Sequence, residues 1–292
     1  MSTVVAKVLR TVMRLYPFPR GQGRLIDRTP LRALRFADAT LSVRTVDGFS
    51  MTVFPNDHIG RHVYLTGQFD RTIVEVLLRF AVPDARVLDI GGNCGYVACA
   101  LLHALPLCRV VSVEPQEQVY ALLATNLQQV GAGRGCAIRA AVSDVSGVGA
   151  MVHDPQNSGA SRLSRDTPEC DASALASEPV EMITGPELME RSGLDRLDLV
   201  KIDVEGHEEP VLRSLQPILA RWRPHAVVFE HDGNPSEPRS ALGSVFRDLD
   251  YRVLGIRKRL THYELLPVES IRGADPRPHD YVAVPRERAV AP

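Results

Sequence analysis

The chain has 292 residues, of which 45% are hydrophobic and 24% are charged. These proportions are ordinary for a soluble globular protein, and the length favours one large domain with additions over two equal domains. The 34 basic and 35 acidic residues give a net charge of -1, so no overall field favours nucleic acid or an anionic membrane, and we expect no nucleic-acid partner. No apolar run approaches the roughly 20 residues of a membrane span, so we expect no integral membrane segment.

The first predicted segment, residues 1–69, is an extension of the main domain. Residues 4–15 place apolar and basic side chains at helical spacing, which predicts an amphipathic helix that packs on the main domain or on a second subunit of a homodimer. Contact with a membrane surface is an alternative for this helix. Strands are expected at 41–46 and 50–54, because the Asp-Gly pair between them is a strong hairpin signal. We expect this extension to cover part of a site or to contact another subunit.

The second segment, residues 70–292, alternates predicted strands and helices, as a parallel sheet with crossover helices requires. The predicted strands are 86–90, 110–113, 137–141, 197–202, 226–230, 252–256 and 280–284, and the predicted helices are 70–80, 96–105, 116–130, 186–192 and 209–219. Residues 151–180 interrupt this alternation with a polar, turn-rich stretch. We interpret this stretch as a lid loop, with plain disorder as the alternative.

The most informative motif is a strand that ends in an acid and continues into a glycine turn. Residues 89–95 read Asp-Ile-Gly-Gly-Asn-Cys-Gly, and a helix is predicted to begin at Tyr96. Glycine at positions 91 and 95 lets the backbone approach a ligand at the carboxyl end of a strand, where open α/β sheets bind ligands. The glycine spacing differs from the dinucleotide fingerprint, which argues against a nicotinamide-dependent dehydrogenase.

Carboxylates also follow the next predicted strands. Glu114 lies 25 residues after Asp89, and a carboxylate at that strand end suits the two hydroxyls of a ribose. Asp89 suits the ammonium of an amino acid, and S-adenosylmethionine carries both groups. Asp144, next to Ser143 after the third strand, is a candidate contact for an adenine amino group, with a helix cap or turn as the alternative.

Two later strands end in clusters of ionisable residues. Residues 199–209 read Leu-Val-Lys-Ile-Asp-Val-Glu-Gly-His-Glu-Glu, and charge this dense at a strand end is atypical of a buried structural element. Asp203, Glu205 and His207 are candidate acid/base groups, whereas an acidic first turn of the following helix accounts for the last two glutamates.

The next strand ends at Glu230, and His231 follows it; both are expected to face the rim that carries Asp203. For a lone histidine such as His231, an incidental position is the alternative to a catalytic one. Asp203, Glu205 and Glu230 are hard oxygen ligands that suit magnesium, but nothing in the sequence shows that they converge. We therefore expect no required metal and undiminished activity in excess EDTA.

Five cysteines lie at irregular spacing, without a CxxC pair. An odd number of unpaired cysteines fits reduced thiols in a cytoplasmic protein better than a disulfide framework. Cys94, within the glycine turn, has no neighbouring histidine to activate it, so we interpret it as a small turn residue.

Taken together, these motifs resemble the FkbM family of S-adenosylmethionine-dependent methyltransferases. The resemblance covers about residues 41–284, with matching stretches at 66–70, 88–96, 113–115, 126–127, 141–144, 157–159 and 200–208. The Lys-Ile-Asp-Val-Glu-Gly-His-Glu block at 201–208 is the most diagnostic part. Gly92 stands where alanine is common and Asp70 where glutamate is usual, and both changes are conservative. The N-terminal segment matches far less, which leaves the acceptor open.

The resemblance implies a class I methyltransferase (Rossmann-like) fold with a seven-stranded, mostly parallel sheet and helices on both faces, next to the N-terminal helix and β-hairpin. It implies S-adenosyl-L-methionine as cofactor and a small-molecule or glycan acceptor. The expected reaction is O-methylation of a hydroxyl on a sugar, glycoside or other natural product, in secondary metabolite or polysaccharide biosynthesis. A non-catalytic cofactor-binding or scaffold protein on the same fold is the alternative.

The candidate site residues fall into two groups. The expected general bases, in order of preference, are His231, His207 and Asp203, one of which would remove the proton of the acceptor hydroxyl. The expected cofactor-binding residues are Asp89, Gly91, Asn93, Gly95, Glu114, Ser143, Asp144 and Asp203.

Overall fold

The protein is described by a computed structural model that covers residues 3–18, 21–37, 39–154, 157–164, 177–235, 237, 240–271 and 278–288. The N-terminal part contains helices α1 (Thr3–Leu15), α2 (Gln22–Asp27) and α3 (His58–Thr66) and strands β1 (Leu41–Arg44) and β2 (Ser50–Val53). The predicted hairpin is confirmed, because β1 and β2 pair antiparallel with Leu41 opposite Val53. Helices α2 and α3 were not predicted from the sequence.

The remainder of the described chain alternates strands and helices. Its strands are β3 (Arg86–Ile90), β4 (Arg109–Val113), β5 (Gly135–Ile138), β6 (Ala141–Val142), β7 (Gly147–Val152), β8 (Arg162–Ser164), β9 (Ser177–Ile183), β10 (Leu199–Ile202), β11 (Ala226–Glu230), β12 (Tyr251–Lys258), β13 (Tyr263–Pro267) and β14 (Asp280–Pro285). Its helices are α4 (Arg71–Phe80), α5 (Tyr96–Ala104), α6 (Glu117–Gly131), α7 (Gly185–Ser192), α8 (Glu208–Trp222) and α9 (Ala241–Asp248). The five predicted helices correspond to α4–α8, whereas the short helix α9 was not predicted.

The main sheet has eight strands in the order β13-β12-β14-β11-β10-β3-β4-β5. The five strands from β11 to β5 are parallel, and β14 lies antiparallel between β11 and β12. The sequence predicted seven of these strands. The eighth, β13, pairs antiparallel with β12 at the edge of the sheet. All but the last of its residues are half-buried, so the strand lacks the alternation of apolar and polar residues that would reveal it in the sequence.

A second, four-stranded sheet has the order β6-β9-β7-β8. It contains both ends of the segment 151–180 that the sequence predicted as a lid loop, while residues 165–176 of that segment lie outside the described residues. The predicted strand 137–141 is divided, because β5 ends at Ile138 and β6 begins in the second sheet. A small cluster of buried side chains holds this sheet together, and it consists of Ala141, Met151, Val180 and Met182.

Alternate residues of the central strands supply the two apolar layers of the main domain. Val87 belongs to the layer that packs against α4 and α5, and Leu88 belongs to the layer that packs against α8 and α9. This alternation follows from the two-residue period of a strand, and the apolar runs of β3, β4 and β10 reflect burial on both faces. Helices therefore cover both faces of the sheet, as the sequence predicted.

The strand order fixes the location of a ligand site. From β3 the chain proceeds through β4 to β5, and it then returns to β10 on the opposite side of β3. Such a reversal leaves a crevice at the carboxyl ends of the two central strands. In this protein those ends carry the glycine turn after β3 and the charged segment after β10.

The N-terminal helix α1 packs on the domain through one side. Met13 is 3% exposed, and the Arg10 guanidinium lies 4.7 Å from the centre of the Tyr64 ring. On its other side, Val8 and Val12 remain more than half exposed. Among the described helices, none has the length and apolar character needed to cross a membrane.

Candidate active site

A cavity of about 550 Å³ lies at the carboxyl ends of the central strands. Its volume falls within the roughly 300–1,000 Å³ that is typical of small-molecule sites. Polar wall residues follow each of four neighbouring strands, and they include Gly91, Asn93, Glu114, Gln116, Asp203, Glu205, His207 and Glu230. An apolar part of the wall is formed by Ala140, Ala141, Val142, Met151 and Leu163.

The glycine turn after β3 forms one wall of the cavity. Gly91 has a φ of +79°, and a Cβ at this position would overlap the backbone carbonyl of Asp203. Only glycine therefore lets the turn lie directly against the end of β10. Gly95, with a φ of +84°, precedes α5, and a Cβ there would lie 2.7 Å from Leu123 on α6. Gly95 is thus a packing residue and is not part of the cavity wall.

Glu114 brings a buried carboxylate to the cavity. Its side chain is 3% exposed and accepts hydrogen bonds from the backbone N–H groups of Asn93 and Gln116, both at 3.0 Å. Burial raises the pKa of Glu114 to about 7, although these hydrogen bonds act in the opposite direction. A carboxylate at this strand end has the position expected for binding ribose hydroxyls.

Asp89 lies beneath the turn instead of on the cavity wall, which corrects the expected contact between its side chain and the cofactor. Its neighbours across the sheet are Ser112 on β4 and Lys201 on β10. Asp89 Oδ2 accepts a hydrogen bond from Ser112 Oγ at 2.7 Å, and Oδ1 lies 3.3 Å from Lys201 Nζ. The carboxylate is 1% exposed, because it is one residue before the end of its strand and is covered by the turn.

Lys201 is a site residue that the sequence reasoning missed. Its ammonium donates to the Gly91 carbonyl at 3.0 Å and lies 3.4 Å from Asp203 Oδ2, in addition to its ion pair with Asp89. Burial alone would lower the pKa of Lys201, but the two aspartates outweigh it and hold the pKa above its ordinary value. The sequence signal was a lysine within the otherwise apolar strand β10.

Three carboxylates converge on the cavity, a convergence that the sequence did not show. Asp203, Glu205 and Glu230 offer oxygen atoms that all lie within 4.8 Å of one another. Burial and then the neighbouring charges raise the pKa of Glu205 to about 7 and that of Glu230 to about 8. Asp203 contributes to the raised pKa of Glu230, because it stabilises the protonated form of that side chain. The cluster is thus able to accept a proton near neutral pH.

Backbone strain and a buried acceptor position Glu205 in this cluster. Glu205 has a φ of +50° and Gly206 a φ of +92°, so the turn between β10 and α8 is left-handed at two successive residues. Glu208 holds this turn by accepting hydrogen bonds from the N–H groups of Val204 and Gly206. The sequence explanation of Glu208 as a first-turn acid of α8 is therefore incomplete.

The two predicted histidine bases have different positions. His207 lines the cavity, and its Nε2 lies 3.0 Å from Ser143 Oγ. His231 is absent from the cavity wall, whereas Glu230 is part of it. Successive residues at a strand end point to opposite sides, so when Glu230 faces the cavity its neighbour faces away. Glu230 therefore lies on the expected rim, whereas a catalytic role for His231 stays a prediction.

Ser143 and Asp144 also lie outside the cavity wall. Ser143 is fully buried and hydrogen bonds to Asp144 and His207, while Asp144 is exposed. The neighbouring residue Val142 lines the cavity instead. An adenine ring near this strand end would therefore meet an apolar wall and not the predicted carboxylate.

A short segment between β7 and β8, residues 157–161, lies across the cavity; we call it the strap. The Ser158 N–H donates to Asp57 Oδ1 at 2.6 Å, and its Oγ accepts from Asn93 Nδ2 at 3.0 Å. The Ser158 carbonyl accepts from Gln116 Nε2 at 2.8 Å. The strap is therefore attached to α3, to the glycine turn and to the start of α6.

Comparison with known proteins identifies the family. A model of the FkbM methyltransferase domain matches residues 89–253, which is more than half of the chain. The chain belongs to the FkbM methyltransferase family. The hexuronic acid methyltransferase AglP of Haloferax volcanii is 27% identical over 175 residues, which span 59% of this chain and 67% of that protein.

Solved structures with a similar arrangement of strands and helices include two methyltransferases. Precorrin-6y C5,15-methyltransferase from Geobacter metallireducens is 13% identical, with a TM-score of 0.41 over 73% of this chain and 87% of that chain. A TehB-like S-adenosylmethionine-dependent methyltransferase from Corynebacterium glutamicum is 12% identical, with a TM-score of 0.41 over 77% of this chain and 91% of that chain.

The FkbM protein described here is an S-adenosylmethionine-dependent methyltransferase with a class I fold, as the sequence predicted. S-adenosyl-L-methionine is the cofactor of this family. The cavity fits that cofactor, because the buried carboxylate of Glu114 reaches its wall and the backbone of Gly91 also lines it.

Proposed function

We propose that this FkbM methyltransferase transfers a methyl group to a hydroxyl oxygen of a sugar or a sugar-containing natural product. The observation that carries the proposal is the cluster of Asp203, Glu205 and Glu230 on the cavity wall. A hydroxyl is a poor nucleophile until a base removes its proton, and these carboxylates supply candidate bases. The similarity to a hexuronic acid methyltransferase supports a sugar as the acceptor.

The cofactor, the cavity and a general base make three different contributions to the proposed reaction. Bound S-adenosylmethionine supplies an electrophilic methyl group on a positively charged sulfur. The cavity holds the acceptor oxygen in line with that group, and such orientation is worth roughly 7–11 kcal/mol. A positioned base adds a factor of about 10²–10⁴.

We assign cofactor binding to the wall residues of the glycine-turn side. Glu114 binds the ribose hydroxyls, the backbone of Gly91 and Asn93 contacts the polar end of the cofactor, and Asp203 closes this side of the cavity. The remaining predicted cofactor residues act indirectly. Asp89 acts through its ion pair with Lys201. Gly95, Ser143 and Asp144 act by positioning the backbone and side chains next to them.

We assign the general base to Glu230. Its pKa of about 8 suits proton transfer near neutral pH, and the neighbouring Asp203 stabilises the protonated form that Glu230 adopts once it has taken the proton of the acceptor. His207 is the second candidate, because it lines the same cavity, although its Nε2 is engaged by Ser143. His231, the first candidate from the sequence, would act only if its side chain turned toward the cavity.

The reaction is tested with methyl-labelled S-adenosylmethionine and a panel of neutral and acidic glycosides. We expect label on a sugar oxygen, and we expect Glu230→Gln to reduce turnover about 10²–10⁴-fold while leaving cofactor affinity unchanged. Glu209→Gln is the matched control, because this glutamate forms an exposed ion pair with Arg213. Label on nitrogen or carbon only, or full activity of Glu230→Gln, would contradict the proposal.

The charge of the acceptor can be tested separately. Arg24 on α2 also lines the cavity, and among the described residues its guanidinium forms no hydrogen bond or ion pair. A free guanidinium suits the carboxylate of an acidic sugar. We expect Arg24→Gln to raise KM for a uronic acid acceptor about 10-fold and to leave KM for a neutral glycoside unchanged. Equal effects on both acceptors would argue against an acidic sugar.

A further inference from the structure

The described residues contain a second group of potential metal ligands, which lies outside the carboxylate cluster. His58 and His62 are one turn apart on α3, and Asp27 is the last residue of α2. His62 Nε2 lies 2.8 Å and His58 Nδ1 lies 3.8 Å from Asp27 Oδ1. The three ligand atoms all lie within 4.8 Å of one another, and the two imidazole centroids are 4.4 Å apart.

These three side chains line a second cavity of about 840 Å³. It adjoins the first cavity, and His58, Arg24 and Phe69 belong to both walls. The group is therefore near the expected acceptor side of the enzyme, and it is separate from the three carboxylates of the proposed methyl-transfer site.

We propose that Asp27, His58 and His62 bind a divalent transition-metal ion, for which Zn²⁺ is the best match. Histidines four residues apart on a helix lie on the same face, so both rings reach one point. Tetrahedral zinc with bonds of about 2.0–2.1 Å places its ligand atoms roughly 3.3 Å apart. The observed distances of 2.8 and 3.8 Å to Asp27 lie on either side of this value, so small side-chain rotations complete the site.

The ligand chemistry separates this site from the carboxylate cluster. Two imidazoles and one carboxylate suit zinc and its neighbours in the periodic table, whereas carboxylates alone suit magnesium or calcium. A zinc site was not among the predictions from the sequence, which expected no required metal. The sequence gives little indication of this ligand set, because Asp27 lies 31 residues before His58 and belongs to a helix that was not predicted.

Of the three proposed ligands, His62 is the one that the surrounding residues enclose. The side chain of His62 is 8% exposed, and its ring meets Phe69 edge-on with centroids 6.0 Å apart. Gly23 on α2 lies beside this ring, and a Cβ there would be in ordinary van der Waals contact with it at 3.5 Å. A bound ion would connect α2 to α3, and three protein ligands leave a coordination position for water or a ligand in the second cavity.

The test is a titration of EDTA-treated and dialysed full-length protein with Zn²⁺ by calorimetry, with Co²⁺ absorption as a probe of tetrahedral coordination. We expect one zinc ion per chain and a higher Tm on addition of zinc. His58→Ala is the main variant, because its ring is half-exposed and its loss perturbs folding less than loss of buried His62. It should weaken zinc binding by at least roughly 100-fold and remove the Tm increase.

Two controls make the outcome specific. His103→Ala, an exposed histidine on α5 that contacts Phe49, should bind zinc as the wild type does. Asp203→Asn should also retain the site. The proposal is overturned if the wild type binds no zinc, if His58→Ala binds zinc as the wild type does, or if Asp203→Asn abolishes the binding. All readouts measure binding, so they are independent of the methyl-transfer proposal.

Discussion

Lys201 is the residue that connects the glycine turn to the carboxylate cluster. It reaches the Gly91 carbonyl and the carboxylates of Asp89 and Asp203 from a position that is almost completely buried. A buried charge of this kind is tolerated only with partners of the opposite sign. The lysine therefore determines where the turn and the end of β10 lie relative to each other.

Replacing Lys201 by methionine should lower the free energy of unfolding by about 3–5 kcal/mol, because Asp89 would remain as a buried and uncompensated charge. Urea denaturation measures this loss. The double variant Lys201→Met with Asp89→Asn should recover a large part of it, since the isolated charge is then removed. Single and double variants of equal stability would refute the charge pairing as the cause.

At this scale, the sequence predicted which strand ends contribute to the site better than which side chains at those ends face the cavity. Glu114 and His207 lie on the cavity wall as expected, because the ends of parallel strands converge. Asp89 and His231 were placed there too, but their side chains depend on strand register and on the alternation of faces. The alternation is local, but the register comes from neighbouring strands that are distant in the sequence.

The strap is the element that the sequence located but did not explain. Its polar, turn-rich composition predicted a loop, yet its position depends on bonds to Asp57, Asn93 and Gln116. Asp57 lies 101 residues before Ser158 along the chain. Pairing over such a distance leaves no local signature, and the same reason explains why β6–β9 were not expected to form a separate sheet.

Asp57→Ser tests the strap without removing the cap of α3. Asp57 Oδ2 accepts hydrogen bonds from the N–H groups of Ile59 and Gly60, and serine is an equally good residue at this capping position. The variant loses the charged acceptor for the Ser158 N–H. We expect the affinity for S-adenosylhomocysteine, measured by calorimetry, to fall about 10-fold.

The same variant should keep its thermal stability within about 0.5 kcal/mol, because the helix cap is retained. Faster proteolysis within the strap would show that it has been released. Unchanged cofactor affinity with a released strap would mean that the strap does not cover the cofactor.

At the scale of the whole molecule, the sequence predicted the α/β class and the strands of the parallel core. The apolar runs of β3, β4, β10 and β11 are recognisable because both faces of the sheet are buried. The short helices α2 and α3 were missed, and they form part of the wall of the second cavity, together with α4 and residues 257–261. The wall that we propose for the acceptor therefore includes the part of the chain that the sequence described least.

The contrast between the central strands and the N-terminal helices also bears on function. The central strands carry the proposed cofactor-binding turn and the proposed base, whereas the N-terminal helices and the strap supply other parts of the cavity walls. Proteins that share a common fold generally differ in function through such site-forming segments. We therefore expect acceptor specificity to change with residues of α2 and α3, of which Arg24 is the first to test.

The central claim is that Glu230 removes the acceptor proton, and the dependence of kcat on pH tests it most directly. A base with a pKa near 8 is protonated and inactive at lower pH, so the rate of the wild type should rise with pH, reach half of its maximum near pH 8 and level off at higher pH. Glu230→Gln should be slower by about 10²–10⁴-fold and should lose this rise, while Glu209→Gln should keep it. A Glu230→Gln variant with the rate and pH profile of the wild type would contradict the account.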